Sequence, residues 1–153
     1  MPLHASCVAH HGDAVLLLGP AGVGKSDLVL RLMGRGWDLV ADDQVEVSAD
    51  AEGLVAAAPG PLAGVLEVRG IGLFQDLAHI PTARLRLAVT LLGPGETPHR
   101  LPDLDHFQAL GHRLPRIALR GLDASAPDRL VMALHAACGR ATLAAGAFPA
   151  PPA

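Results

Sequence analysis

The chain contains no Asn and no Tyr, a single Lys, two Cys and four aromatic residues among 153. With so few aromatics the interior must be built from Leu, Val and Ala, and half of the residues are apolar, the balance of a soluble globular domain. The formal charge is −3 and no basic block interrupts it, so both the phosphate-neutralising surface and the stacking platform of a nucleic-acid binder are missing. Cys7 and Cys138 stand near opposite ends in neither a C-x-x-C nor a Cys/His zinc spacing. That argues against a disulfide framework or structural zinc and fits a reducing, cytoplasmic setting. No apolar run approaches the ~18 residues of a membrane span. The opening MPLHASCVAHHGD carries neither the basic start nor the long apolar stretch of a secretion signal.

What is present begins with length, which is enough for one domain with a core of its own. The expected fold class is α/β. Leu3 to His10 and the apolar run Ala14 to Leu18 read as strands joined by a hairpin at His11-Gly12-Asp13. Leu28, Val29, Leu32 and Met33 fall on one helical face, and Gly34 and Gly36 end that helix. Trp37–Val40 and Gln44–Val47 read as extended, followed by a hairpin that returns over Leu54–Ala58. Val65–Val68 is extended before the glycine-containing loop Arg69-Gly70-Ile71-Gly72, and Ala83–Leu92, which alternates weakly at Leu85, Leu87, Val89 and Leu91, predicts a further strand. Residues 93–112 read as irregular, Arg116–Leu119 as a last short strand, and Ser125 with Asp128 as the capping box of a final helix. The domain is expected over residues 1–142, with an Ala/Pro-rich, unstructured tail over 143–153.

Gly19-Pro20-Ala21-Gly22-Val23-Gly24-Lys25-Ser26 satisfies G-x-x-x-x-G-K-[ST], between an apolar strand and an amphipathic helix. In that setting the glycines let backbone N–H groups converge on phosphate oxygens, and the helix aims its positive end at the same anion. Lys25 reaches the β- and γ-phosphates of a nucleoside triphosphate, and Ser26 is placed to ligate Mg²⁺. The other basic residues are all Arg; a compact ammonium fits inside such a loop where the guanidinium fork does not. Asp42 and Asp43, at the end of a neighbouring apolar strand, supply the carboxylate expected near metal and γ-phosphate, with a solvated Asp-Asp turn as the alternative. Side chains alternate along a strand, so at most one of the pair faces the phosphate unless the strand has ended. A GTPase is disfavoured, because the Asn/Thr-Lys-x-Asp base-reading motif needs a second Lys. The length leaves little room for an Arg-rich lid over a small acceptor, which favours an open site and a protein acceptor.

Several of these segments together resemble the catalytic, carboxyl-terminal domain of the HPr kinase/phosphorylase family, bacterial enzymes that phosphorylate a serine of the phosphocarrier protein HPr. The resemblance starts at His4, at ungapped spacing to Gly19, and runs through the phosphate loop into Arg35-Gly36-Trp37-Asp38-Leu39-Val40-Ala41-Asp42-Asp43. It resumes at Leu66-Glu67-Val68-Arg69-Gly70-Ile71-Gly72, which looks like the family's signature loop, and covers residues 4 to 92 well. It implies a P-loop kinase core with added β-hairpins, ATP and Mg²⁺ as cofactors, and a ring-shaped homo-oligomer, a hexamer. It further implies that Lys25 holds phosphate and that Ser26 and Glu67 ligate Mg²⁺. Asp43 then takes the proton of the acceptor serine, with Asp42 as its alternate. Arg69 steadies charge on the moving phosphoryl group, His4 tunes the base, and Arg100 resembles a later active-site arginine.

Glu67 read alone is equally an exposed strand carboxylate, and His4 is one of eight histidines. The sequence also departs from the family. Leu119-Arg120-Gly121-Leu122-Asp123-Ala124 stands where members that remove the phosphate carry Pro-Gly-Arg-Asn, and the chain starts at the catalytic core. The expectation is a minimal protein-serine kinase acting on HPr or a related phosphotransferase-system carrier, without the phosphorylase reaction. A small-molecule kinase and a nucleotide-sensing module without turnover are the alternatives; the latter predicts binding visible in Trp37 fluorescence.

Overall fold

A computed structural model of the chain describes residues 1–149. In chain order its elements are β1 (Pro2–Leu3), β2 (Ser6–His10), β3 (Asp13–Leu18), α1 (Lys25–Met33), β4 (Asp38–Ala41), β5 (Val45–Asp50) and β6 (Gly53–Ala57). After these come β7 (Leu66–Val68), β8 (Gly72–Phe74), β9 (Ala83–Leu92), β10 (His106–Ala109), β11 (His112–Arg120) and α2 (Ala126–Ala137). The apolar run before the glycine-rich loop is β3, and β3, β9 and β11 lie parallel. Their carboxyl ends share one edge, the place where open α/β sheets bind ligands. Antiparallel strands extend this centre: β2 pairs with β3 and then β4, while the β5–β6 hairpin joins the other side of β9. The β7–β8 hairpin forms a separate two-stranded ribbon.

Alternation along β3 divides the core. Val15 and Leu17 pack under α1 and α2 with Leu28, Leu32, Leu130 and Leu134, whereas Ala14 and Leu16 face Val45, Val47, Leu54 and Leu114 on the other side. The strand expected over Ala83–Leu92 is β9 with those bounds, but its alternation is interrupted. The register slips between Ala14 and Val15, which pair with Leu85 and Leu87, so Arg86 is an extra residue and the strand changes face. Leu85 therefore lies with the Ala14 side, and Leu87, Val89 and Leu91 lie under the helices.

Residues 93–112, read as irregular, contain β10, and β11 begins at His112 rather than Arg116. These two strands turn on Leu110-Gly111, both with positive φ (50° and 78°). A hairpin turn opened by Leu gives no sequence signal, since Asn, Asp or Gly normally occupies that position. Ser125 takes the N-cap position of α2, but its side chain makes no cap bond, and Asp128 is drawn 2.5 Å from Arg35 instead. Residues 143–149 form no helix or strand, yet Phe148 is buried in the helix-side core with Leu143 and Ala147 packed against it. The apolar members of that segment anchor it; the remainder of the expected tail lies outside the described residues. No helix among the described residues is long and apolar enough to cross a membrane.

Candidate functional site

The turn after β3 must reverse the chain into α1 within six residues, and glycine makes that possible. Gly22 and Gly24 hold φ of 82° and 101°, conformations that side-chain-bearing residues reach only at a cost. The first intrahelical bond of α1 runs from Leu28 N–H to Gly24 O. The amides of the opening turn are therefore left for a ligand. A Cβ built at Gly22 would meet nothing within 4 Å, so the loop faces open space on that side. Val23 turns the other way, into the helix-side core.

Lys25 is only 7 % exposed, and its Nζ donates to the carbonyls of Gly19 (2.5 Å) and Pro20 (2.9 Å). Burial lowers its pKa, against the pull of the Asp43 and Asp42 carboxylates. The ammonium thus ties together the first two carbonyls of the glycine loop.

The two tandem aspartates part company because β4 ends at Ala41. Asp42 turns inward to 7 % exposure and accepts from Ser6 Oγ (2.7 Å) and from Ser26 Oγ (2.9 Å to each oxygen). Asp43 adopts a left-handed backbone (φ 67°), its N–H donates to Ser6 Oγ at 3.3 Å, and its side chain enters the cleft, with His4 Nδ1 3.5 Å from Oδ1. Buried and exposed roles are thereby assigned to neighbours.

His4, Asp43, Glu67 and Arg69 line one cleft of about 420 Å³ together with Lys25 and Ser26. Gly19 and Pro20 take part through the carbonyls that hold Lys25, while Ala21, Gly22 and Gly24 form the cleft floor. Arg100 is not brought in: it lies on an exposed bend outside the lining residues. Nor does Trp37 report on the cleft. It is 4 % exposed and its ring centre lies 5.1 Å from that of His10, the planes tilted by 38°, at the β2–β3 turn and so at the opposite end of β3 from the phosphate loop. Sequence reasoning passed over Ser6, whose contact with Asp42 bridges 36 positions and leaves no local pattern. It also passed over Leu122, present only as a departure from a family motif.

A magnesium–triphosphate complex suits these residues. Mg²⁺ is a hard ion held by one or two carboxylates with phosphate and water oxygens, and Ser26 and Glu67 offer oxygen donors in a cleft that also presents loop amides and an ammonium. Asp42 keeps the Ser26 hydroxyl oriented through its hydrogen bond.

A parallel strand feeding a glycine loop, a buried lysine and an acidic rim define a P-loop α/β core of the kinase type. Residues 1–84 match the family model described as HPr Serine kinase C-terminal domain. The HPr kinase/phosphorylase of Limosilactobacillus reuteri (strain DSM 20016) is 49 % identical over 127 residues, 78 % of this chain and 38 % of that protein. That of Levilactobacillus brevis is 47 % identical over 74 residues, 48 % of this chain and 24 % of that protein. The solved Hpr(Ser) kinase/phosphatase from Coxiella burnetii matches with a TM-score of 0.75 at 26 % identity, over 88 % of this chain and 87 % of that one. The chain belongs to the HPr serine kinase C-terminal domain family, and it spans between a quarter and two-fifths of the length of these two curated relatives.

Proposed function

We propose that this protein is an ATP- and Mg²⁺-dependent protein-serine kinase, acting in the cytoplasm on HPr or a related carrier of a phosphotransferase system. Through that substrate it regulates carbohydrate or nitrogen metabolism. The observation that most supports this reading is that one open cleft gathers Lys25, Ser26, Asp43, Glu67 and Arg69 around a glycine loop. Lys25 exchanges the Gly19 and Pro20 carbonyls for β- and γ-phosphate oxygens, a replacement of neutral acceptors by charged ones. Ser26 and Glu67 hold the metal, and Mg²⁺, when bound, neutralises charge on the phosphate oxygens. The acceptor serine oxygen bonds to the γ-phosphorus as the bond to the β,γ-bridging oxygen breaks; the hydroxyl proton passes to Asp43 and ADP departs.

Asp43 is favoured over Asp42 as the base because its side chain is open to the cleft, whereas Asp42 already accepts from two serines. The transition state is loose, so the base needs position more than strength. His4, with Nδ1 3.5 Å from Asp43 Oδ1, positions the base in the cleft. Arg69 faces the same space and stabilises the transferring group. Leu119-Arg120-Gly121-Leu122-Asp123-Ala124 offers no Pro-Gly-Arg-Asn loop, and the reading includes no phosphorylase activity. A ring-shaped homo-oligomer belongs to the same proposal and is testable by sedimentation.

The experiment is transfer from γ-labelled ATP to purified carrier proteins, comparing wild type with Lys25→Ala and Asp43→Asn. Label should reach a carrier serine with wild type only. Labelling that persists in both variants overturns the assignment. ATP consumption by a metabolite panel above that by carriers would favour a small-molecule kinase, and nucleotide binding without transfer a sensing module.

A further inference from the structure

The turn between β11 and α2 meets the cleft but has no part in the chemistry above. Arg31 of α1 donates to the carbonyls of Gly121 and Asp123, the latter at 3.2 Å, and is itself held 3.0 Å from Asp27. The backbone on both sides of Leu122 is thereby clamped to α1. Leu122 projects outward, 57 % exposed, yet it rests on the junction of loop and helix: a Cβ at Gly24 would lie 2.7 Å from its Cδ2. It forms one wall of the cleft.

The first turn of α1 separates two flanks. Ser26 points to Asp42, on the side of the acids, while Asp27 and Arg31 lie toward the Gly121–Asp123 turn. A triphosphate gripped at its β-phosphate, with the γ-phosphate toward Asp43, extends its α-phosphate and nucleoside away from Asp42 and Asp43, toward the flank where the Asp27 carboxylate is paired with Arg31. That path leads over Gly24 to Leu122. We propose that Leu122 is the nucleoside platform of this site, its isobutyl group packing on a base and making a nucleoside triphosphate the preferred ligand over bare polyphosphate. The proposal rests on the kinase reading above and adds the residue that distinguishes a nucleotide donor from an inorganic one. An immobilised backbone suits the role, since the platform is ordered before the ligand arrives.

The test is calorimetric titration of the full chain, with Mg²⁺, using ATP and inorganic tripolyphosphate as separate probes. Loss of about half the burial of a leucine side chain predicts that Leu122→Ala weakens ATP about fivefold. Tripolyphosphate affinity should stay unchanged, and Leu122→Met should restore ATP binding. Equal weakening of both probes means that Leu122 merely shapes the loop and overturns the proposal, as does undiminished ATP binding by Leu122→Ala. A wild-type protein that binds tripolyphosphate as tightly as ATP overturns this proposal alone. One that binds neither probe overturns the phosphate-loop reading beneath it.

Discussion

Replacing Lys25 by Met separates what the ammonium does for the fold from what it does for a ligand. In the free protein the group makes two hydrogen bonds, to Gly19 O and Pro20 O. With a charged donor each contributes about 1.5–3 kcal/mol. Against them stands the penalty of holding an ammonium away from water, typically several kcal/mol. Its direction is visible in the lowered pKa of Lys25, caused first by burial and resisted by Asp43 and Asp42. A lowered ammonium pKa means that the unfolded chain binds the proton more tightly. At neutral pH the charge therefore works against folding, and this contribution is relieved only as pH rises from the folded value toward the ordinary 10.5.

The opposing terms nearly cancel, so Lys25→Met without ligand should melt within about 4 °C of wild type, equivalent to about 1 kcal/mol. Binding behaves differently, because the ammonium exchanges two neutral carbonyls for charged phosphate oxygens, and removing one partner of such a desolvated charge pair costs about 2–5 kcal/mol, or about 30- to 5,000-fold in affinity. Thermal melts with and without Mg²⁺-tripolyphosphate read both quantities. At a hundred times the wild-type Kd the wild type gains about 2.7 kcal/mol, a rise of about 5–10 °C, and the variant gains less than about 1 kcal/mol. A variant that is much less stable without ligand would show Lys25 to be a structural strut. One that shifts as far as wild type would show that the ammonium does not grip phosphate, and either result refutes the reasoning.

Ser6→Ala and Asp42→Ala should each destabilise by about 1–3 kcal/mol in denaturant melts, because each breaks a buried hydroxyl–carboxylate bond. The double variant should lose less than the sum, and strict additivity would mean that the two are not coupled. Gly22→Ala should cost about 1–2 kcal/mol from its left-handed backbone alone. Gly24→Ala should cost a similar amount for its own left-handed backbone, with little added by Leu122, whose exposed side chain can move aside from the new Cβ; a cost that falls sharply in a Leu122→Ala background would contradict this. The pKa of His10 is lowered by burial, then by His11, His135 and Arg140, with Asp13 opposing. Trp37 emission should therefore change as the adjoining imidazole gains a proton, with a midpoint below the ordinary 6.5. The unfolded chain takes up that proton first, so stability should decline as pH falls from about 6.5 toward the folded value; a midpoint at or above 6.5 contradicts the assigned burial.

Where the determinants are neighbours in the chain, they are legible. The phosphate loop needs glycines, one lysine and one serine in fixed order, and the helix after it buries the stripe Leu28, Val29 and Leu32 that its period announces. The His11-Gly12 turn and Gly36 beyond α1 are local in the same sense, each set by a left-handed backbone that few residues accept, whereas Gly34 at the helix end is right-handed like any helical residue. The β9 register was not legible. Arg86 becomes an extra residue only because β3 pairs Ala14 with Leu85 and Val15 with Leu87, and no period within β9 records its partner's demands.

The same division runs through the site. Residue order alone determined that a glycine-rich loop precedes an amphipathic helix and that two acids follow at a strand's end, because backbone geometry and side-chain chemistry act over a few positions. Which acid is buried and which meets the cleft was decided by the end of β4 and by Ser6 from a separate strand. Likewise Arg31 fixes a turn some ninety positions away and sets Leu122 against the loop. Those contacts exist only once distant segments are packed together, since hydrogen bonds and van der Waals contact act over a few ångströms of space, whatever the separation along the chain.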